Sequence, residues 1–408
     1  ELMERPAQQN STPRELRPLT LRSACRQLPN ANLALISVPG DFAGAEARKA
    51  LRAGLNVMIF SDNVALAEEI SLKREARDLG LVVMGPDCGT AIIDGVPLAF
   101  ANAVPRGDIA IVGASGTGMQ EVSCLIAHAG EGISHAIGVG GRDLTEAVGA
   151  ISTLTVLDWL ERDAATHHIV LISKPPAPSV VDQITEFIRR SSKSYTVCLV
   201  GSDNLALPDN AKLTTTLKDA AATAVTNSKG LEALPAVQRA PVAGSYVRGL
   251  YSGGTLAAEA QVVFLSHGQP VLSNAPVPGA GLFTSERTNH IMIDLGDDRF
   301  TRGRPHPMID PAVRDEPVCA ALSDPDVGAV LLDVVIGFGA HADPAGHLAG
   351  LLDRHGRSGS VVIASVTGTD EDPQVRARQV SVLERAGVVV APSNADAAEL
   401  ALACLNVG

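Results

Sequence analysis

Aromatic residues are scarce in this 408-residue chain, which has one Trp, three Tyr and eight Phe. Hydrophobic residues nevertheless make up 46% of the sequence, so Val, Ile, Leu and Ala must fill the core. That filling is typical of parallel sheets that are covered by helices on both faces. Because the chain is too long for one ordinary hydrophobic core, we expect two or three domains.

Positive charge is also in short supply, with 33 Lys and Arg against 45 Asp and Glu and a formal net charge of -12. No cluster of Lys and Arg offsets this excess, which argues against nucleic-acid and anionic-membrane partners. The apolar stretch at 327–340 is too short to span a membrane and is interrupted by Asp333. No signal peptide is visible. We therefore expect a cytoplasmic protein.

Cysteine pairs are missing as well, because the six cysteines are far apart and form no Cys-x-x-Cys motif. This spacing predicts reduced thiols, as in the cytoplasm, and argues against a disulfide framework or a zinc site.

Strand and helix patterns alternate from residue 31 onward, after a polar stretch at 1–30 that we interpret as a linker or frayed N-terminus. Short apolar strands between amphipathic helices indicate βαβ units and parallel sheets, and so an α/β fold. A Pro- and Gly-containing step at 103–108 and a loosely patterned stretch at 226–244 separate the units. The predicted domains are 31–104, 105–240 and 245–408.

Two strand-to-helix turns resemble each other: IAIVGASGTGMQE at 109–121 and YVRGLYSGGTLAAE at 246–259. In each, Ser and Gly precede a Thr, and a Glu follows four residues after that Thr. Similar elements follow both turns, which indicates a diverged internal repeat. Thr117 with Gln120 predicts a capping box at the start of the first helix.

Each turn is either a plain helix cap or a site for an anion. Free backbone N–H groups and the positive end of the helix dipole would stabilise a phosphate or carboxylate there. Two copies at corresponding places favour the anion site. Neither copy has the lysine of a Walker A loop, so direct nucleotide binding is not implied.

A second polar cluster lies at 294–310, which reads DLGDDRFTRGRPHPMID and is too rich in Gly and Pro to predict a helix. Its acids and arginines either pair with one another in a solvated loop or bind an anion and Mg²⁺. The candidate metal ligands are Asp297 and Asp298. The candidate catalytic residues are Arg302, Arg304 and His306.

Three further positions are secondary candidates. Arg142 and Asp143 belong to GGRD at 140–143, the counterpart of the polar cluster in the first copy. His341 follows a very apolar strand, where open α/β sheets place functional side chains. It is either a base or phosphoryl acceptor or an ordinary helix-start histidine. Asp333 must be paired or neutral if it is buried.

The motifs GPDCGT at 85–90, SGTGMQE at 115–121 and GVGGRD at 138–143 occur in the order seen in the succinyl-CoA synthetase α-subunit. SGGTLAAE and the following LGDD resemble the ligase domain of the β-subunit. The chain more closely resembles FdrA proteins, in which both halves occur in one chain, through NVMIFSDNV, YSGGTLAAEA, GRPHPMIDP and VTGTDEDPQ. This resemblance implies a partial Rossmann domain of the CoA-binding type at 31–104, followed by two flavodoxin-like ligase domains.

The same resemblance implies that the two turns are the N-termini of helices that hold a phosphoryl group. The implied phosphate ligands are Ser115, Gly116, Thr117, Gly118, Ser252, Gly253, Gly254 and Thr255. The synthetase's phosphohistidine has no counterpart in CLVGSDNLALPDNAK at 198–212, which contains no His. The sequence also lacks a Gly-rich first turn before residue 31 and an ATP-grasp domain, so neither CoA nor ATP is an expected cofactor.

FdrA proteins are similar to a component of oxamate carbamoyltransferase in allantoin catabolism, which uses Mg²⁺ and partner subunits. That reaction converts oxalurate and phosphate to oxamate and carbamoyl phosphate. The resemblance therefore implies a carbamoyltransferase subunit in an oligomeric assembly. The alternatives are an NDP-forming acyl-CoA synthetase and a non-catalytic scaffold that binds an anion and recruits partner subunits.

Overall fold

The computed structural model of the chain contains three sheets of mostly parallel strands with helices packed against them. This arrangement confirms the predicted α/β class. The structure describes residues 18–173, 175–201, 205–226, 231, 244–285, 288–355 and 359–405.

The first sheet is small and wholly parallel, with three strands in the order β1-β2-β3. Its strands are β1 (Leu33–Ile36), β2 (Asn56–Ile59) and β3 (Val83–Met84), and the helices of this part are α1 (Leu21–Gln27), α2 (Gly40–Arg52) and α3 (Leu66–Asp78). The interpretation of 1–30 as a linker is wrong for α1, because Thr20 and Ser23 form a reciprocal cap that starts this helix. Residues 1–17 lie outside the described part of the chain.

Along the chain, the first strands of the second sheet are β4 (Thr90–Ile93) and β5 (Val96–Ala99), which form an antiparallel hairpin. Through β4 this hairpin joins the other strands of the sheet, again in antiparallel fashion. The hairpin lies within the predicted domain 31–104, although its strands belong to the second sheet. The domain boundary at 105 stays a prediction. The other strands and the helices are β6 (Arg106–Gly113), α4 (Gly116–His128), β7 (Ile133–Gly138), α5 (Ile151–Arg162), β8 (His168–Ser173), α6 (Pro178–Arg190), β9 (Ser194–Leu199), β10 (Ala211–Thr214) and α7 (Leu217–Ala224).

The third sheet has seven strands and a set of helices that follows the same general plan. Its elements are β11 (Tyr246–Tyr251), α8 (Gly254–Ser266), β12 (Val271–Ser273), β13 (Gly281–Leu282), β14 (His290–Asp294), α9 (Asp298–Thr301), α10 (Asp315–Ser323), β15 (Val327–Val335), α11 (Pro344–His355), β16 (Val361–Thr367), α12 (Arg376–Arg385), β17 (Val389–Ala391) and α13 (Asn394–Leu405). The expectation of no helix within 294–310 is wrong for α9, a single turn that Asp297 caps. Most of the predicted linker at 226–244 lies outside the described residues.

The two larger sheets share one strand order, as the internal repeat predicts. Written from β7, the order β7-β6-β8-β9-β10 corresponds to the flavodoxin-like order 2-1-3-4-5, and so does β14-β11-β15-β16-β17 once β12 and β13 are set aside. In this order the first strand lies next to the third, and the helix after the first strand begins where the direction of winding reverses. The helices at these two points are α4 and α8.

A continuous apolar core joins the two larger units. It includes Met119 and Ile126 from α4 together with Leu256 and Phe264 from α8. Because α8 is buried almost all around, it packs between layers and presents no polar solvent face. The shared core therefore holds the two helices in a defined relative position.

None of the six cysteines, all of which lie in the described part of the chain, forms a disulfide bond. Among the described residues, no helix has the length and apolar character needed to cross a membrane.

Candidate functional site at two facing helix N-termini

The carboxyl ends of strands from all three sheets meet at one cleft with a volume of about 850 Å³. Open α/β sheets bind ligands at this edge because loops and helix N-termini converge there. The first sheet contributes Ser37, Asp62 and Asp87, which follow β1, β2 and β3. The second and third sheets contribute Ser115, Gly116, Thr117, Ser173, Ser252, Gly253, Gly254, Thr255 and Asp294.

The two turns predicted from the sequence meet in direct contact at this cleft. The Ser115 and Thr255 hydroxyl oxygens lie 2.5 Å apart. A Cβ atom added at Gly253 would lie only 2.7 Å from Thr117 Oγ1, so the second turn needs Gly where the first has Ser. The structure thus brings the predicted turns together, and phosphate binding by them stays a prediction.

The turn before α4 is closed by its own side chain. Ser115 is the N-cap, and its hydroxyl oxygen accepts a hydrogen bond from Gly118 N at 3.0 Å. The predicted capping box of Thr117 and Gln120 is therefore wrong, because the helix begins at Gly116, one residue before Thr117. Thr117 instead lies against Gly253 of the opposite turn.

The turn before α8 has no side-chain cap, since its N-cap is Gly253. The backbone N–H groups of Ser252 and Gly253 each donate to the Asp333 carboxylate at 2.8 Å. Asp333 also accepts from the Ser252 hydroxyl at 2.8 Å and from Arg314 Nη1 at 2.8 Å. The amides of Ser252 and Gly253 are thus directed to Asp333. At the start of α8 the Asp294 carboxylate lies beside Gly254, where an added Cβ atom would be 2.4 Å from Asp294 Oδ2.

The loop after β14 adds a histidine and an arginine to the cleft. His306 and Arg304 line it, whereas Arg302 is the C-cap of α9 and does not. Burial lowers the pKa of His306, so its ring is neutral near pH 7. His306 Nδ1 accepts a hydrogen bond from Met308 N at 3.2 Å. The proton of the neutral ring therefore lies on Nε2, which is a hydrogen-bond donor.

The predicted metal ligands Asp297 and Asp298 both line the cleft. Asp297 Oδ1 already accepts from Arg299 N at 2.9 Å and from Arg299 Nε at 3.1 Å. Within the ranges that the structure describes, no three metal-ligating side chains converge on one point. Magnesium binding by this pair stays a prediction and would need ligand oxygens or water to complete the coordination.

Sequence reasoning missed Asp87, which stands in GPDCGT between β3 and β4. It is exposed to the cleft, yet loss of solvation in the cleft wall, followed by the charges of Asp62 and Asp298, raises its pKa to about 6. Its backbone has a positive φ of 57°, a conformation that Asp tolerates better than most residues. The available signal was an acid directly after a predicted buried strand.

The secondary candidates lie away from the cleft lining. Asp143 is fully buried, accepts from Lys73 Nζ at 2.7 Å and accepts from Thr153 N at 2.9 Å. Arg142 pairs with Glu69 at 2.8 Å, so both residues join α3 to the β7–α5 connection. His341 accepts a hydrogen bond from Asp343 N at 3.1 Å, as an ordinary helix-start histidine would.

Comparison with known proteins defines the class to which this fold and cleft belong. The CoA-ligase family model matches residues 250–404, and the CoA binding domain model matches residues 105–200. Within these two ranges the chain therefore matches a CoA-ligase domain and a CoA-binding domain. The CoA-binding match lies on the unit containing α4, whereas the sequence led us to expect that type of domain at 31–104.

The chain belongs to the same family as a protein of Escherichia coli named "Uncharacterized protein YahF". The two are 41% identical over 410 residues, which cover 95% of this chain and 79% of that protein. This likeness spans all three units of the fold. Membership of the FdrA proteins in particular stays a prediction.

More distant relatives match a smaller part of the chain. Subunit alpha 1 of the ADP-forming succinate–CoA ligase of Archaeoglobus fulgidus is 26% identical over 176 residues, or 42% of this chain and 59% of that subunit. SauD, a subunit of the ADP-forming sulfoacetate–CoA ligase of Bilophila wadsworthia, is 28% identical over 151 residues, or 35% of this chain and 50% of that subunit. The matches thus cover about half of each relative.

Among solved structures, a dinucleotide forming acetyl-coenzyme A synthetase 1 of Ca. Korarchaeum cryptofilum aligns with a TM-score of 0.39 and 17% identity. The alignment covers 92% of this chain and 82% of that protein, which was solved with phosphate and ADP.

Proposed function

We propose that the chain is a subunit of a carbamoyltransferase that moves a carbamoyl group from oxalurate to phosphate. The observation that carries this proposal is the pair of facing turns in one cleft. The uncapped start of α8 lies opposite the hydroxyls of Ser115 and Thr117. Such a helix start suits a tetrahedral anion because backbone N–H groups and the helix dipole both favour negative charge.

Phosphate at the start of α8 supplies the nucleophile in this proposal. One phosphate oxygen attacks the carbamoyl carbon of oxalurate, and the bond from that carbon to the amide nitrogen breaks. The proton of hydrogen phosphate ends on the departing nitrogen, so the products are carbamoyl phosphate and oxamate. The N–H groups of Gly254 and Thr255 stabilise the charge that develops on the attacked group.

Arg304 and His306 supply the remaining polar contacts. Arg304 is exposed in the cleft wall and fits the carboxylate that oxalurate and oxamate share. His306 presents Nε2–H as a donor, and Asp87 can carry a proton because its pKa lies near 6. None of these roles requires a covalent intermediate or a resident metal.

The decisive experiment incubates the chain, assembled with its partner subunits, with oxalurate, phosphate and Mg²⁺. We expect carbamoyl phosphate to form, and its absence from a folded, complete assembly would contradict the proposal. Thr117→Ala and Thr255→Ala should each lower kcat/KM more than about 10-fold, or about 1.4 kcal/mol of transition-state stabilisation. Full activity in both variants would favour a scaffold instead of a catalytic subunit.

A second candidate is an NDP-forming acyl-CoA ligase, which the CoA-binding and CoA-ligase matches favour. It predicts transfer of ³²P from ATP or from phosphate onto a histidine. Within the described residues, His306 is the one histidine among those that line the cleft. Its Nε2 carries the proton and is a donor, which disfavours attack by that nitrogen on phosphorus. Labelling that disappears in His306→Asn would nevertheless establish the ligase.

Both candidate functions involve partner subunits. The Archaeoglobus and Bilophila relatives are named as subunits of their enzymes. We therefore propose that this chain also acts in an oligomeric assembly, and co-purification from the native source tests this.

A further inference from the structure

Two buried polar atoms beside the start of α4 have no hydrogen-bond partner among the described residues. They are Thr90 Oγ1 and Gln120 Oε1. Thr90 is 2% exposed and Gln120 is 1% exposed, and both residues line the cleft. Because folded proteins seldom leave buried polar atoms unpaired, a bound ligand is a natural partner for both.

The hydrogen-bond network determines which end of the Gln120 amide is left over. Asn102 donates through Nδ2 to Asp372 Oδ2 at 2.7 Å and to Ile336 O at 2.9 Å. Asn102 therefore presents its Oδ1 to Gln120, which donates to it through Nε2 at 3.0 Å. Gln120 Oε1 remains as an acceptor, and only a group that carries a hydrogen can satisfy it.

Thr90 Oγ1 lies on the same side of the cleft. It would be 3.0 Å from a Cβ atom added at Gly116, the first residue of α4. A carboxylate or fully ionised phosphate offers Gln120 Oε1 no hydrogen and would be repelled by it. An amide NH₂ group can donate one hydrogen to Gln120 and bond to the Thr90 hydroxyl.

We infer that this side of the cleft is a subsite for an amide or carbamoyl NH₂ group, with Gln120 and Thr90 as its specificity-determining residues. The inference rests on the proposed function for the identity of the substrate and deepens it by naming the group that is recognised. Phosphate then occupies the α8 side and the nitrogen-bearing group the α4 side.

Oxamate and oxalate test this subsite, since oxamate has an NH₂ group where oxalate has a carboxylate oxygen. Oxalate also carries one more negative charge, and the Thr90 and Gln120 variants separate the effect of charge from that of the NH₂ contact. Calorimetry on the full chain in phosphate buffer should give an affinity for oxamate at least about fivefold above that for oxalate. This ratio corresponds to the free energy of about one ordinary hydrogen bond. Thr90→Val and Gln120→Met should each remove roughly that preference. Thr90→Ser, which keeps the hydroxyl, should retain it.

Matched controls carry the same substitutions away from the cleft. Thr214→Val in β10 and Gln261→Met in α8 alter buried residues that do not line the cleft, so both should keep the wild-type preference. The inference is overturned if wild-type protein binds oxalate as well as oxamate, if neither anion binds in the millimolar range, or if both cleft variants keep the preference. A missing carbamoyl phosphate signal together with an oxamate preference would contradict the proposed reaction and still support the subsite.

Discussion

Asp333 determines the conformation of the turn before α8. This carboxylate is fully buried in the apolar strand β15, and Arg314 neutralises its charge from a distance of 2.8 Å. Its two oxygens also accept from the N–H groups of Ser252 and Gly253. An acid within an apolar strand is thus explained by the turn whose backbone N–H groups it binds.

Asp333→Asn should lower the free energy of unfolding by about 3–5 kcal/mol, because it leaves the buried Arg314 charge without its counterion. Urea denaturation measures this loss. Asp158→Asn is the control, since the Asp158–Arg162 pair is mostly exposed and should change stability by less than about 1 kcal/mol. Equal effects of both substitutions would refute the role assigned to Asp333.

Asp87 should make stability depend on pH in the acidic range. Its pKa is raised from 3.8 to about 6 in the folded chain, so the folded state binds the proton more tightly than the unfolded state does. The stabilisation is complete below the unfolded pKa and is lost as pH rises through about 6. We expect the melting temperature of wild type to fall between pH 4 and 6.5 relative to Asp87→Asn.

The matched control for Asp87 is Asp78→Asn, an exposed acid at the end of α3. It should leave the wild-type pH profile unchanged between pH 4 and 6.5. Identical profiles for wild type and Asp87→Asn would show that Asp87 titrates as an ordinary exposed acid.

At the scale of secondary-structure elements, α4 and α8 begin differently although they occupy equivalent places in the repeat. Ser115 caps α4 through its own side chain, whereas Gly253 leaves the start of α8 uncapped. Gly253 is required because a side chain there would collide with Thr117. The cleft therefore has a helix start capped by its own side chain at α4 and one without a side-chain cap at α8.

Ser115→Ala should cost about 1 kcal/mol through loss of the cap and should also weaken phosphate binding, because the Ser115 hydroxyl supports Thr255. Thr216→Ala is the control, since Thr216 caps α7 by accepting from Asp219 N at 3.0 Å. Both variants should lose similar stability in urea denaturation. Only Ser115→Ala should lose phosphate affinity in calorimetry, and an equal loss in both would contradict the proposal.

At the scale of the whole molecule, two glutamates bind the larger units together reciprocally. Glu121 of α4 accepts from Asn394 N at 3.0 Å, at the start of α13 in the third unit. Glu259 of α8 accepts from Leu217 N at 2.6 Å, at the start of α7 in the second unit. Each glutamate thus caps a helix of the other unit, α13 or α7, which keeps the two turns together.

Glu259 should make stability fall with rising pH across the neutral range. Burial and then the charge of Glu121 raise its pKa from 4.5 to about 8, so the folded state keeps a proton that the unfolded state has released. The stabilisation that is present below pH 4.5 is lost as pH rises through about 8. Thermal unfolding between pH 6 and 9 should show this decline in wild type.

Glu259→Gln should flatten that decline, because the amide mimics the protonated acid and does not titrate. Glu186→Gln, which changes an exposed residue of α6, should keep the wild-type slope. A slope that persists in Glu259→Gln would assign the pH dependence to another group.

The amino-acid sequence predicted much of the fold because apolar periodicity and turn residues act locally. The alternation of strands and helices, the α/β class and the similarity of the two turns all follow from patterns within about 15 residues. The capping box of Thr117 and Gln120 was wrong because a Ser two residues before Thr117 could also cap the helix. The sequence did not predict α1, because its residues are mostly polar and lack the apolar periodicity that would have made Thr20 recognisable as a cap.

The sequence by itself determined that two turns rich in Ser, Gly and Thr each end a buried strand and begin a helix, each with a Glu one turn further on. Only the tertiary structure decided that these turns face one another, that Asp333 occupies two of the predicted amides, and that Asp87, Thr90 and Gln120 lie in the same cleft. The physical reason is that strand order and helix packing place together residues that are more than 100 positions apart, as with Ser115 and Thr255. Local sequence patterns do not predict such contacts.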